Sequence, residues 1–103
     1  MDLAGLGRFA DPAVLILSSL AGGEKHGHAL VKDIADFADV RLGPGTLYGA
    51  LSRLEQRGLI EALPTEDRRH PYRITDRGAS ALRAYLQHAR AVANVGLVRL
   101  AGT

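Results

Sequence analysis

The chain has 103 residues and no cysteine, and its 13 lysines and arginines against 11 aspartates and glutamates leave a formal net charge of +2. A chain of this length can bury one modest core, and without cysteine it has neither a disulfide framework nor a cysteine-based metal site. The longest apolar run, within residues 13–21, is far shorter than the roughly 20 residues of a membrane-spanning helix and lacks the features of a secretory signal, so we expect a soluble, cytoplasmic protein.

Two helices are predicted before residue 40. Asp11 at an N-cap and Pro12 at the first helical position are a strong start signal, and the pair Gly22-Gly23 stops this first helix, which is apolar nearly all round and should be buried. Residues 1–10 carry no clear periodicity and form an N-terminal extension with no firm assignment, the open alternative being a frayed helical turn that packs on a partner. The second helix runs from about residue 27 to 38, with an apolar stripe formed by Leu30, Val31, Ile34, Phe37 and Ala38.

A third helix is predicted within residues 42–60, where residues 43–46 turn the chain into a helix at Leu47 and Gly58 ends it. Leu47, Leu51 and Leu54 recur at spacings of 4 and 3, so one face belongs in a core. Tyr48 lies at the edge of the opposite face, which is small and polar enough for a nucleic-acid groove to approach the backbone. That face carries Gly45, Thr46, Gly49, Ser52, Arg53 and Gln56.

A β-hairpin should follow the third helix. Residues 59–63 and 72–75 have strand character, and the segment between them is turn-rich and charged. Two helices joined by a short turn, then a strand, a basic loop and a strand, are the order of a winged helix-turn-helix. The predicted class is therefore mainly α with a small β-hairpin.

A long C-terminal helix completes the predicted fold. Thr75 offers its N-cap, and it could reach residue 100 with a seam whose spacings of 4, 3, 4, 3 and 4 are typical of helices that wrap on one another. Because so small a domain cannot cover this helix, we expect a two-fold homodimer, the alternative being a helix that folds back on its own domain. The expected organisation is a DNA-binding domain over residues 1–75 and a dimerisation helix over residues 76–103, in one compact unit. The predicted dimerisation residues are Leu82, Tyr85, Leu86, Ala89, Val92, Ala93, Gly96 and Leu100.

Arginines concentrate around the third helix and the hairpin. Arginine makes bidentate contacts to phosphate and to guanine that lysine does not make. The alternative role for each arginine is that of a solvated surface charge paired with a nearby carboxylate. The net charge of +2 is by itself a weak argument for nucleic-acid binding. The group comprises Arg53, Arg57, Arg68, Arg69, Arg73 and Arg77.

Enzymatic and metal chemistry are not indicated. The chain has no cysteine nucleophile, no glycine loop followed by a phosphate-binding lysine, and no paired carboxylates in an apolar setting. His26 and His28 are two residues apart at a helix start and do not share a helix face, so we expect no metal. No enzyme and no cofactor are predicted.

Short motifs in a specific order and spacing span most of residues 13–82. They are residues 26–27 (HG), 42–48 (LGPGTLY), 51–55 (LSRLE), 58–60 (GLI), 68–69 (RR), 72–75 (YRIT) and Gly78. In this order the motifs resemble those of the PadR-type transcriptional regulators. The resemblance implies a short homodimeric winged-helix repressor of double-stranded operator DNA, often one released by a small hydrophobic effector. Gly49 and His28 depart from the family pattern, standing where a proline and a tyrosine are usual.

The resemblance also implies which residues contact DNA, and it points to Gly45, Thr46, Tyr48, Ser52 and Arg53 in the recognition helix and to Arg68 and Arg69 in the wing. On physical grounds, the hydroxyls of Thr46 and Tyr48, the first amides of the helix and the two wing arginines would hold phosphates. Ser52, Arg53 and Gln56 are then left to read bases. An effector pocket would need Tyr85 or Phe9, because some relatives use a tryptophan on the last helix and this chain has none. The expected DNA-binding residues are Gly45, Thr46, Tyr48, Ser52, Arg53 and Gln56 on the helix and Arg68, Arg69 and His70 in the wing.

The alternative function is a winged-helix protein-protein interaction module without DNA binding, which the low net charge favours. A steep fall of affinity for duplex DNA with salt would distinguish the two.

Overall fold

A computed structural model describes residues 11–65 and 70–102. The predicted class is confirmed over these ranges, which form four helices and one antiparallel hairpin. The predictions for Phe9, Arg68 and Arg69 lie outside the described residues. The elements are α1 Pro12–Leu20, α2 Gly27–Ala38, α3 Pro44–Gln56, β1 Ile60–Ala62, β2 Tyr72–Ile74 and α4 Asp76–Ala101.

Side-chain caps begin the first and last helices, as predicted. Asp11 Oδ1 accepts a hydrogen bond of 2.9 Å from the amide of Ala13, which satisfies one of the free donors at the start of α1. At α4 the Thr75 hydroxyl accepts from the amide of Gly78 at 3.0 Å and donates to the carbonyl of Gly58 at 2.7 Å. Thr75 therefore ties the start of α4 to the end of α3.

The third helix begins earlier than predicted. Gly43 is its N-cap and Pro44 its first residue, so Gly45 and Thr46 belong to the first helical turn and not to a turn before it. Proline fixes φ near the helical value and lacks the amide that the first turn leaves unpaired, so it starts the helix itself. Gly45 and Thr46, which the sequence assigns to the exposed face, thus form the first turn of that face.

The core lies between the first three helices, the hairpin and the start of α4. Helix α1 is central, contacting α2, α3, α4 and β2, and its Ile16 is completely buried. Phe37 differs from prediction, since half of its side chain is exposed although it continues the apolar stripe of α2. The buried hydrophobic residues beyond α1 are Leu30, Ile34, Leu42, Leu47, Ala50, Leu51, Leu54, Ile60 and Leu82.

Both strands are shorter than predicted, and the segment before α2 adds to the hairpin. Thr75 caps α4 instead of extending β2, and in the ladder Ile60 pairs with Ile74. Lys25 and Tyr72 exchange backbone hydrogen bonds of 2.9 and 3.1 Å. The loop between α1 and α2 is thereby attached to the hairpin edge.

Helix α4 leaves the domain after its second turn. Gly78 and Leu82 are its buried residues, and each described residue from 83 to 102 is exposed. The molecule is consequently elongated, at 58 × 28 × 20 Å. The alternative of a helix folded back on its own domain is therefore wrong. In the described ranges, no helix combines the length and hydropathy needed to cross a membrane.

Candidate nucleic-acid interface

Helix α3 presents two chemically different faces, as the sequence predicts. Its core face packs against α1, α2 and β1. The predicted contact residues Gly45, Thr46, Tyr48, Ser52, Arg53 and Gln56 are all exposed on the remaining surface of the helix. The buried residues are Leu47, Ala50, Leu51 and Leu54.

The start of α3 carries free hydrogen-bond donors. Its N-cap Gly43 makes no side-chain cap, and Pro44 has no amide hydrogen. Among the described residues, the amides of Gly45 and Thr46 find no acceptor, and both residues are exposed. Such amides, together with the positive end of the helix dipole, favour an anion such as a backbone phosphate.

Tyr48 connects the starts of two helices. Its side chain is 55% exposed. Its hydroxyl lies so near Gly27, the first residue of α2, that a Cβ on that glycine would come within 2.9 Å of it. The sequence placed Tyr48 at the edge of α3, but the contact with Gly27 follows only from the packing of α2 against α3. The hydroxyl is thus held beside the first turn of α2, whose N-cap His26 also provides no side-chain cap.

Arg53 lies back along α3 toward Gly49. Its Nη1 is 3.6 Å from the point that a Cβ on Gly49 would occupy. Long side chains on a helix point toward its N-terminus, so a residue four positions later covers the preceding turn. The guanidinium is therefore displayed over bare backbone on the exposed face.

Arg73, one of the arginines concentrated around α3 and the hairpin, is paired within the hairpin. Arg73 pairs with Glu61 directly across the two strands, and this hydrogen bond, followed by the attraction of the carboxylate, raises the pKa of the guanidinium. Arg73 is thus part of the hairpin and less available to a partner than the sequence alone suggests. His70 is exposed beside the hairpin, with Nδ1 3.4 Å from the carbonyl oxygen of Leu63.

Tyr72 joins the hairpin to the helices. Burial raises the pKa of its phenol, and Glu55 and Tyr48 add to the shift in the same direction. The phenol therefore remains protonated at neutral pH. Since Glu55 and Tyr48 both belong to α3, this shift reflects how closely the base of the hairpin sits to the helix.

The predicted dimerisation residues separate into two groups. Leu82 is 6% exposed and belongs to the core of the domain. The others lie on the part of α4 that projects from the domain, where Tyr85 is 46% and Leu86 43% exposed. The remaining exposed positions are Ala89, Val92, Ala93, Gly96 and Leu100.

Among residues 11–65 and 70–102, no group of three or more histidines, aspartates or glutamates is arranged to hold a metal ion. His26 and His28 are both exposed at the start of α2.

Comparison with known proteins gives a consistent family. Residues 16–84 match the Transcriptional regulator PadR-like family. An uncharacterized 37.1 kDa protein in transposon TN4556 of Streptomyces fradiae is 41% identical over 75 residues, which are 73% of this chain and 22% of that protein. The chain thus spans about a fifth of the length of this curated relative.

Solved structures of transcriptional regulators have the same fold. A PadR family transcription regulator from Clostridium difficile R20291 is 26% identical with a TM-score of 0.75, covering 86% of this chain and 94% of that one. A transcriptional regulator from Clostridium thermocellum is 29% identical with a TM-score of 0.73, covering 84% and 86%. A PadR-like regulator from Bacillus cereus, 23% identical with a TM-score of 0.78 over 90% and 94%, shares the fold. The chain belongs to the PadR-like family of transcriptional regulators.

Proposed function

We propose that the protein is a homodimeric, sequence-specific repressor that binds double-stranded operator DNA through α3 and the hairpin. The observation that carries the proposal is the exposed face of α3, which combines bare backbone with small polar side chains. Its guanidinium at position 53 and the first amides of the helix have no partner among the described residues. A major groove admits a helix of this kind, and its base edges offer acceptors to arginine.

The contacts divide into two kinds. The first amides of α3 and the hydroxyls of Thr46 and Tyr48 hold phosphates, which sets the register on the duplex. Ser52, Arg53 and Gln56, further along the same face, contact base edges. Arg68, Arg69 and His70 add backbone contacts from the wing, an assignment that for the two arginines rests on the sequence.

Dimerisation through α4 completes the proposed repressor. The projecting part of α4 exposes large apolar side chains, including Val92 at 58% and Leu97 at 65%. Apolar surface of this extent usually marks an interface, and a two-fold pair would present two copies of α3 to half-sites about 10 bp apart. Occupation of such a palindrome over a promoter blocks transcription.

Release by a small hydrophobic effector is a further part of the proposal. Of the two aromatic residues assigned to such a pocket, Tyr85 is half-exposed on α4. A ligand held between paired helices would stack on this ring. Tyr85→Ala should then abolish release of DNA by the ligand without weakening DNA binding in its absence.

The test is duplex binding as a function of salt. The purified protein is first used to select operator fragments from genomic DNA. The logarithm of its affinity for these fragments should fall linearly with the logarithm of salt concentration between about 50 and 200 mM, since phosphate contacts displace counterions. Replacing Arg68 and Arg69 by alanine should weaken binding to all duplexes and flatten this slope. Arg53→Ala should instead reduce discrimination between selected and scrambled duplexes.

Equal losses in the two variants would contradict this division of contacts. Failure of the wild-type protein to bind any duplex at low salt would favour the protein-protein interaction module instead.

A further inference from the structure

The glycine at position 49 is not explained by folding. It lies inside α3, where glycine is the least favourable residue after proline. The positive-φ glycines in the described ranges are Gly23 and Gly58, so the backbone conformation at position 49 suits any residue. A Cβ added at position 49 would lie 3.6 Å from Arg53 Nη1. Apart from the backbone of α3 itself, no other atom of the described residues would lie within 4 Å of it. Core packing therefore places no demand on this position either.

Arg53 is equally unused by the fold. It is exposed, and no carboxylate of the described residues comes within ion-pair distance of it; the ion pairs there are Lys25 with Asp33 and Arg73 with Glu61. Its guanidinium lies one turn closer to the start of α3 than its own Cα, over Gly49. The bare backbone and the unpaired cation thus occupy the same place on the exposed face.

We propose that Gly49 is a positioning residue for Arg53, and that Arg53 uses the vacated space to read a guanine facing position 49. The inference rests on the proposed DNA-binding function. A guanidinium contacts guanine O6 and N7 as a planar fork, which must reach the base edge unobstructed. A side chain longer than alanine at position 49 would compete for that space, whereas the alanine Cβ would make an ordinary contact at 3.6 Å.

The probe is a selected operator duplex in which each guanine is replaced in turn by 7-deazaguanine, which removes the N7 acceptor. One guanine in each half-site should weaken wild-type binding about tenfold or more when replaced. The Arg53→Ala protein should bind the normal and substituted duplexes equally. The measured quantity is the ratio of the two affinities, so a general loss of binding cancels.

Position 49 is tested by two substitutions that both suit a helix better than glycine does, so neither should lower thermal stability. Gly49→Leu should remove the sensitivity to 7-deazaguanine, as Arg53→Ala does. Gly49→Ala is the matched control and should keep that sensitivity. In the Arg53→Ala background, Gly49→Leu should leave the affinity ratio unchanged, because the two residues act as one unit.

Three results would overturn the inference: a wild-type protein indifferent to every 7-deazaguanine, a Gly49→Leu protein as sensitive as the wild type, or loss of all duplex binding by Gly49→Leu in both backgrounds. The last would mean that the leucine blocks the backbone of α3 and not the arginine. Absence of any wild-type DNA binding is a different result, since it contradicts the proposed function itself.

Discussion

Gly78 is where the fold leaves the least room for a side chain. A Cβ at this position would lie 2.0 Å from the carbonyl oxygen of Leu59 and 2.9 Å from Ile74 Cγ1. The first of these is a backbone atom that cannot swing away, and the amide of Gly78 is simultaneously held by the Thr75 hydroxyl. The glycine thus allows the first turn of α4 to pack directly on the backbone leading into β1 and on the end of β2.

We therefore expect Gly78→Ala to lower the free energy of unfolding by about 3 kcal/mol, at the upper end of the cost of overpacking. Chemical denaturation of both proteins measures this difference. Gly45→Ala is the control, because a Cβ there meets nothing within 4 Å and the change should be neutral or stabilising by up to about 1 kcal/mol. Equal stability of Gly78→Ala and wild type would contradict the close approach.

Between elements, a small polar network joins α1 to α2. The hydroxyl of Ser19, itself 2% exposed, donates to Asp33 Oδ2 at 2.5 Å. Lys25 Nζ donates to the carbonyl of Ser19 at 2.6 Å and lies 3.9 Å from the same carboxylate. The Asp33 carboxylate on α2 thus accepts the hydrogen bond of the buried Ser19 hydroxyl. Lys25 balances the charge of that carboxylate and also caps a carbonyl at the end of α1.

Asp33→Ala should cost about 1–2 kcal/mol of unfolding free energy, since it leaves the buried Ser19 hydroxyl without its charged acceptor. The matched control is Asp36→Ala on the same helix, whose side chain is exposed and whose loss should stay within about 0.5 kcal/mol. Thermal or urea denaturation compares the two. If Asp36→Ala proves the more damaging change, the network does not stabilise the contact between the helices.

The first and last residues of the helices and strands were harder to predict from the sequence than the helices and strands themselves. Periodicity placed all the helices, because each needs an apolar face and each carries a recognisable start or stop residue. It misplaced the start of α3, where Pro44 acts as a first helical residue. It also missed the pairing of Lys25 with Tyr72, since backbone hydrogen bonds between distant segments leave no periodic signal in either one.

For the whole molecule, the decisive feature is that α4 projects from the domain. Its large apolar residues between Tyr85 and Val98 are exposed, whereas its first two turns belong to the core. Because the proposed dimer depends on this projecting segment, association and folding can be separated by substitution there. Changes beyond residue 83 should alter assembly before they alter the domain.

Ala93→Glu should shift the protein from dimer to monomer, since it places a charge in the centre of the predicted seam. Sedimentation equilibrium measures the mass, and duplex affinity should fall with it because each monomer engages one half-site. Gln87→Glu adds the same charge to an exposed position of α4 outside the predicted seam and should stay dimeric. A dimeric Ala93→Glu protein would place the interface elsewhere.

Local chemistry in the sequence was sufficient to identify the elements, the winged order of helix and hairpin, and the face of α3 that carries polar residues. Capping, periodicity and turn preferences act over a few neighbouring residues, so they can be read along the chain. Only the tertiary structure decided that Tyr48 reaches Gly27, that Arg73 is held by Glu61, that Leu82 belongs to the core and that Phe37 is half-exposed. These outcomes depend on the angle and distance at which separate elements pack, and packing brings together residues whose spacing along the chain carries no information about their contact.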